Sequence, residues 1–129
     1  MVTQKRQKVF LVDDDTFLLS SLKMVLINAG YDVETATRGK EALGKVQKAL
    51  PDLFVIDAVM PEMNGFELSR QIRNIENAGK LPIIMLTGLK TESDASLAFG
   101  SGVNEFIKKP VKPEDLVRKI RNRLNPQPY

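Results

Sequence analysis

The chain has 129 residues, of which 43% are hydrophobic and 27% are charged, and these values suit one folded globular domain. It contains no cysteine and no histidine, which excludes disulfides, thiolate or imidazole metal ligands and a catalytic cysteine or histidine. A bound metal would have oxygen ligands, which favours Mg²⁺, Mn²⁺ or Ca²⁺ over zinc.

The formal net charge of +3 comes mostly from basic residues near the two ends of the chain. We interpret them as solvated surface charge, because no aromatic residues are interleaved with them as in many nucleic-acid-binding surfaces. No apolar run approaches the roughly 18 residues of a membrane span, and no signal-peptide core follows the basic start. We therefore expect a cytoplasmic protein that contacts neither nucleic acid nor membrane directly. The basic residues are Lys5, Arg6, Lys8, Arg118, Lys119, Arg121 and Arg123.

Strands and amphipathic helices alternate from the start of the chain. Residues 9–12 are continuously apolar, which predicts a strand that is buried on both faces. Apolar residues then recur with helical spacing over residues 18–29, and Gly30 ends this helix. A less apolar strand at residues 32–36 suits the edge of a sheet, and a second helical stripe covers residues 42–50.

The same alternation continues through the middle of the chain. Apolar runs at residues 53–56 and 83–86 predict two more buried strands, with a helical stripe at residues 68–75 between them. A weaker helix is predicted at residues 93–98, and it should end near Gly100.

The last predicted elements are a short strand at residues 106–107 and a helix that begins at Pro113. Glu114 and Asp115 lie at the positive end of this helix dipole, and basic residues fill its last turns. Strands that alternate with helices in this way predict an α/β fold with a doubly wound parallel sheet.

Polar residues follow four of the predicted strands at the point where each strand ends. In an open parallel sheet, ligands bind beyond the carboxyl ends of the strands, so these side chains should lie close together. Acids follow the first and third strands, a threonine follows the fourth and a lysine pair follows the fifth. The residues are Asp13, Asp14, Asp15, Asp57, Thr87, Lys108 and Lys109.

This combination suits a phosphoryl group bound beside a divalent cation. Neighbouring carboxylates repel one another, and a hard cation such as Mg²⁺ relieves the repulsion. An ammonium and a hydroxyl can donate to phosphoryl oxygens, and a carboxylate can be the nucleophile. Each residue alone is more often a helix cap, a turn residue or part of the surface, so the interpretation depends on their occurring together.

Four segments resemble the signature segments of response-regulator receiver domains, namely residues 9–15, 53–65, 82–88 and 106–110. The Asp-x-x-Met-Pro-x-Met-x-Gly pattern within the second segment is the most specific of them. The resemblance covers about residues 8–124. It implies a flavodoxin-like sheet of five parallel strands in the order 2-1-3-4-5.

The resemblance also implies a function for a single receiver domain over residues 1–129. The domain would take a phosphoryl group from a histidine kinase or a histidine phosphotransfer protein. Asp57 would be the phosphoacceptor, and Asp13, Asp14, Asp57 and the backbone carbonyl of Val59 would hold Mg²⁺. Such a domain is a signalling module that catalyses its own phosphorylation and slow dephosphorylation, and it is not an enzyme with other substrates.

A conformational switch is implied by the same resemblance. Lys109 would pair with the phosphoryl group, Thr87 would be drawn toward it, and Phe106 would reorient when Thr87 moves. The Lys109–Pro110 peptide is expected to be cis. The output surface would comprise the predicted fourth helix, the fifth strand and the last helix, roughly residues 89–124. It would contact a partner protein or output domain, in a monomer or a phosphorylation-dependent homodimer.

Several positions have more than one interpretation. Asp15 is more readily a cap of the first helix than a third metal ligand, Lys108 is expected to be solvated, and Gly65 to support a turn and close packing. Val59 and Leu89 occupy positions that, in this family, influence how water reaches the acyl phosphate. Both are apolar here, which predicts a long-lived phosphoryl group.

Other classes fit the sequence less well. A phosphatase of the haloacid dehalogenase type would need an acid where Val59 stands, and a P-loop that ends at Gly39-Lys40 would need glycine where Glu34 stands. The remaining alternative is a receiver-like interaction module that takes no phosphoryl group.

Overall fold

A computed structural model describes residues 5–88 and 100–126 of the chain. Five parallel strands form one sheet in the order β2-β1-β3-β4-β5, as the resemblance implied. The strands are β1 (Lys8–Val12), β2 (Asp32–Ala36), β3 (Leu53–Asp57), β4 (Ile83–Thr87) and β5 (Glu105–Lys108). The helices within these described ranges are α1 (Thr16–Asn28), α2 (Gly39–Lys48), α3 (Gly65–Arg73) and α4 (Pro113–Leu124).

Helices cover both faces of the sheet, which explains why the central strands are continuously apolar. Leucines of α1 and the buried residues of α4 pack on one face, against the strand residues that point to that side. Residues of α2 and α3 pack on the other face. The helix residues in these two cores are Leu19, Leu22, Leu26, Leu116 and Ile120 on the first face and Ala42, Val46, Leu68 and Ile72 on the second.

The helices begin where the sequence provides a cap or a proline. The Asp15 carboxylate accepts a hydrogen bond from the Leu18 N–H at 3.0 Å, so Asp15 is the N-cap of α1. Pro113 opens α4, as predicted from its position in the sequence. Across the described residues, no helix is both long and apolar enough to cross a membrane.

The stripe predicted over residues 68–75 runs past the end of α3 at Arg73, and two other predicted helices differ from the structure or lie outside its described part. The stripe predicted over residues 42–50 is wrong at its end, because α2 stops at Lys48, Ala49 is extended and Leu50 is 37% exposed. Pro51 disfavours helical backbone in the residue before it, which excludes Leu50 from the helix. The helix predicted at residues 93–98 lies outside the described residues, although Gly100 has helical backbone.

The terminal basic residues lie at the surface as predicted, with Arg6 and Arg123 exposed, but several of them also make specific contacts within the protein. Lys119 and Arg123 both contact Glu105, at 2.7 and 3.1 Å. The Arg6 guanidinium donates to two carbonyls at the end of α1. These contacts join residues that are distant in the sequence, so charge composition alone did not indicate them.

Candidate functional site

Three carboxylates lie together at the carboxyl edge of the sheet. Asp57 is the last residue of β3, and Asp13 and Asp14 follow β1, which pairs directly with β3. One oxygen from each of the three side chains lies within 4.8 Å of the others. Asp13 and Asp57 are buried, at 2% and 4% exposure, and Asp14 is exposed. The trio therefore has two fixed members inside the protein and one on the solvent side.

The amine of Lys109 contacts both buried carboxylates. Its Nζ lies 3.0 Å from Asp57 Oδ1 and 3.4 Å from Asp13 Oδ2. Burial alone would lower the pKa of this ammonium, but the hydrogen bond to Asp57 and the charges of both carboxylates outweigh it, so the pKa is raised. Lys109 is thus held as a cation at the acidic site.

The carboxyl group of Asp13 is affected both by burial and by the neighbouring carboxylate of Asp57. Its pKa is raised from 3.8 to about 6, first by burial and then by the nearby charge of Asp57. A hydrogen bond from the Asp15 N–H and the Lys109 ammonium act in the opposite direction without cancelling the rise. Burial beside a second carboxylate therefore makes the Asp13 carboxyl group hold its proton more tightly than a free one. A hard divalent cation with oxygen ligands fits this donor set.

Asp15 does not belong to the trio. Its side chain is occupied as the cap of α1, so the predicted preference for a cap over a third ligand is confirmed. Lys108 is exposed, as expected, although it is adjacent to Lys109.

The loop after β3 is held close to Asp57 by Gly65. The Gly65 N–H donates to the Ala58 carbonyl at 2.9 Å. A Cβ at position 65 would collide with the Asp57 carbonyl oxygen and lie 3.0 Å from the Ala58 Cα. The expected role of Gly65 in close packing is confirmed. Val59 lies in this loop and is 72% exposed, so the chain beside Asp57 is open to solvent.

Asn64, which the sequence interpretation missed, fixes the other end of this loop. Its Oδ1 accepts a hydrogen bond from the Glu67 N–H at 2.9 Å, which makes Asn64 the N-cap of α3. An Asn followed three residues later by Glu is a recognisable start signal for a helix. That pattern could have located this cap.

Thr87 and Phe106 lie on the strands at the far side of Asp57. Thr87 is buried at the end of β4, next to β3, and its carbonyl accepts a hydrogen bond from the Lys109 N–H at 2.8 Å. Phe106 is half-buried on β5 and packs against the core on the side of α2 and α3. The Lys109–Pro110 peptide is cis, as expected. Leu89 lies outside the described residues.

The structure thus brings Asp13, Asp14, Asp57 and Lys109 into one site. A sequence profile for the response regulator receiver domain matches residues 9–121. The chain belongs to this family. The resemblance of the four signature segments is therefore confirmed over most of the chain.

A longer protein contains a similar receiver domain. The DNA-binding response regulator MtrA of Mycobacterium tuberculosis is 39% identical over 119 residues, which are 92% of this chain and 51% of MtrA. The chain spans about half the length of that relative.

Two solved structures resemble this receiver domain closely. The chemotaxis protein CheY4 of Vibrio cholerae superposes with a TM-score of 0.89 at 35% identity, covering 93% of this chain and 100% of CheY4. The receiver domain of the sensor histidine kinase PA1611 of Pseudomonas aeruginosa has a TM-score of 0.85 at 27% identity, covering 93% of this chain and 98% of its own. A magnesium ion is coordinated in the active-site cleft of the PA1611 domain.

Proposed function

We propose that this receiver domain accepts a phosphoryl group on Asp57 in a Mg²⁺-dependent reaction. The observation that carries the proposal is the contact of Lys109 Nζ with Asp57 Oδ1 at 3.0 Å, beside two further carboxylates. A carboxylate that can be a nucleophile, a cation and further carboxylate oxygens around one small volume support the proposal.

In the proposed reaction, a carboxylate oxygen of Asp57 attacks the phosphorus of a phosphohistidine. The new oxygen–phosphorus bond forms as the phosphorus–nitrogen bond breaks, and the imidazole leaves with the electron pair of that bond. The proposed donor is a histidine kinase or a histidine phosphotransfer protein, and the phosphohistidine is not one of these 129 residues, which include no histidine. The Lys109 ammonium neutralises charge on the transferred group, and the same site slowly hydrolyses the acyl phosphate.

Asp13, Asp14, Asp57 and the Val59 carbonyl would hold Mg²⁺. When bound, the ion supplies positive charge that screens the phosphoryl oxygens from the carboxylates. The raised pKa of Asp13 and the cluster of three carboxylates support this assignment, as does the magnesium ion in the PA1611 domain.

The proposed switch begins with the added phosphoryl charge. A phosphoryl group adds about two negative charges, to which Thr87 and Lys109 respond by moving closer. Phe106 then repacks, and the change reaches an output surface within residues 89–124, of which residues 100–124 are described. This surface binds an output protein or domain, in a monomer or a phosphorylation-dependent homodimer in the cytoplasm.

The test is the intact mass of the protein after incubation with acetyl phosphate and Mg²⁺. The proposal expects a gain of one phosphoryl group, which is absent in Asp57→Asn and when Mg²⁺ is chelated. Asp52→Asn is a matched control, because Asp52 is an exposed aspartate that precedes the same strand. If the wild-type protein binds Mg²⁺ but gains no mass, the chain is an interaction module and the proposal is wrong.

A further inference from the structure

The Arg73 side chain makes an unusually complete set of contacts away from the Asp57 site. Arg73 is the last residue of α3, and each of its five N–H groups has an acceptor within 3.1 Å. The acceptors are the carbonyls of Ala78, Leu81 and Gly102 and the Oδ1 of Asn104. We call these five residues the Arg73 clamp.

The clamp joins three separate segments of the chain. Ala78 and Leu81 lie in the loop that leads into β4, Gly102 lies in the turn before β5, and Asn104 immediately precedes β5. All four acceptors are neutral, so oriented dipoles hold the guanidinium, and among the described residues (5–88 and 100–126) no carboxylate pairs with it. Such a site uses the planar, forked geometry of arginine, which lysine cannot reproduce.

Asn104 extends the clamp into the sheet. The Asn104 Oδ1 also accepts a hydrogen bond from the backbone N–H of Ile83 at 2.8 Å. The backbone N–H of Asn104 donates in turn to the Ile83 carbonyl at 2.9 Å. The starts of β4 and β5 are therefore joined to each other and to α3 through one side chain.

Gly102 is adapted to this contact. Its φ of +94° lies in the region that favours glycine, and a Cβ there would be 2.8 Å from the Arg73 Cγ. Both its backbone conformation and the space beside it therefore depend on glycine.

The two clamped strands also carry Thr87 and Lys109. Thr87 is the last residue of β4, four residues beyond Ile83, which is about 13 Å along an extended strand. Lys109 follows the last residue of β5. The clamp thus holds one end of each strand, and the groups that face Asp57 are at the other end.

We propose that Arg73 is a positioning residue that fixes the starts of β4 and β5 and thereby confines the response to phosphorylation to their Thr87 and Lys109 ends. This inference rests on the proposed function, because it concerns how the strands respond once Asp57 carries a phosphoryl group. The clamp acts as an immobile base from which the two strand ends can move together.

The test is amide hydrogen exchange by NMR, with and without acetyl phosphate and Mg²⁺. In the wild-type protein, phosphorylation should change exchange at Thr87 and Lys109 and leave the Ile83 and Asn104 amides unchanged. In Arg73→Gln, the Ile83 and Asn104 amides should exchange faster than in wild type by about tenfold or more. Their exchange should also now change when Asp57 is phosphorylated. That response separates a positioning role from general support of the fold.

Three further variants complete the experiment. Arg70→Gln is the matched control, since Arg70 is an exposed arginine on the same helix, and it should behave like wild type. Gly102→Ala disturbs the clamp while keeping Arg73, and it should reproduce the behaviour of Arg73→Gln. Arg73→Lys keeps the charge and should only partly restore protection. If Arg73→Gln does not fold, Gly102→Ala and Arg73→Lys provide the measurement.

Intact mass and amide exchange together distinguish a failure of the proposed function from a failure of the clamp proposal. If the wild-type protein gains no phosphoryl group, the proposed function is wrong, and with it the role of the clamp in signalling. If the protein is phosphorylated but the disturbed variants respond like Arg70→Gln, the clamp proposal alone is wrong. The same conclusion follows if the wild-type Ile83 and Asn104 amides respond as strongly as those of Thr87 and Lys109.

Discussion

Replacing Asp13 by asparagine should change how the stability of the metal-free protein depends on pH. The pKa of Asp13 is raised from 3.8 to about 6 in the folded protein, so the folded state holds the proton more tightly than the unfolded state. When the pKa of an acid is higher in the folded state than in the unfolded state, the free energy of unfolding is unaffected below the unfolded-state pKa. It decreases as the pH rises through the folded-state pKa. A rise in pKa from 3.8 to about 6 corresponds to a loss of about 3 kcal/mol in unfolding free energy once the pH is above both values.

The measurement is urea unfolding in EDTA at a series of pH values. About 2 kcal/mol of the loss should fall between about pH 4.5 and pH 8, where the wild-type protein becomes less stable relative to Asp13→Asn. Asp15→Asn is the matched control. It removes a neighbouring carboxylate but leaves Asp13 in place, and asparagine caps a helix as well as aspartate does, so this variant should keep the Asp13-dependent loss of stability.

Saturating Mg²⁺ should reverse the effect at neutral pH. A ligand at about 100 times its dissociation constant stabilises the folded state by about 2.7 kcal/mol, and Asp13→Asn should gain less because it lacks one buried carboxylate. A constant difference between wild type and Asp13→Asn over this pH range would refute the reasoning, as would loss of the pH-dependent effect in Asp15→Asn, which keeps Asp13.

Other variants test neighbouring features of the site. Gly65→Ala should lower the unfolding free energy by about 1–3 kcal/mol, because the added Cβ would collide with the main chain. Gly44→Ala in α2 is the comparison, since its added Cβ would have no other atom within 4 Å, and it should raise the unfolding free energy by about 0.5–1 kcal/mol. Chemical denaturation measures both, and equal effects would contradict the steric argument. Lys109→Gln should tighten Mg²⁺ binding in calorimetry by about tenfold, or about 1.4 kcal/mol, because a competing cation leaves, yet it should slow phosphoryl uptake; weaker Mg²⁺ binding would count against this. Val59→Asn should shorten the life of the acyl phosphate on Asp57, followed by mass, because the amide can orient water beside it; a wild-type half-life of seconds would contradict the predicted long lifetime.

The fold could be predicted because its signals are local. The strand at residues 53–56 is apolar throughout, and Pro113 with its following acids marks the start of α4. The apolar periodicity continues through Leu50 and so predicts a longer α2 than the structure has, whereas Pro51 already disfavours helical backbone at Leu50. A proline after a helical stripe should therefore take precedence over the stripe itself.

The candidate site could also be anticipated, because residues after parallel strands meet at one edge of the sheet. The Arg73 clamp could not be anticipated from the sequence. It depends on three segments that approach α3 only after the chain has folded, and its acceptors are mostly carbonyls, which any residue provides. For the same reason, the contacts of Glu105 with Lys119 and Arg123 were not evident in a basic stretch.

The hydrogen bond from the Lys109 N–H to the Thr87 carbonyl has a kinetic consequence. Because the main chains of the two residues are joined directly, a shift of one backbone changes the bond that holds the other. The hydroxyl and the amine should then interconvert between their resting and activated positions with a single exchange rate in NMR relaxation dispersion.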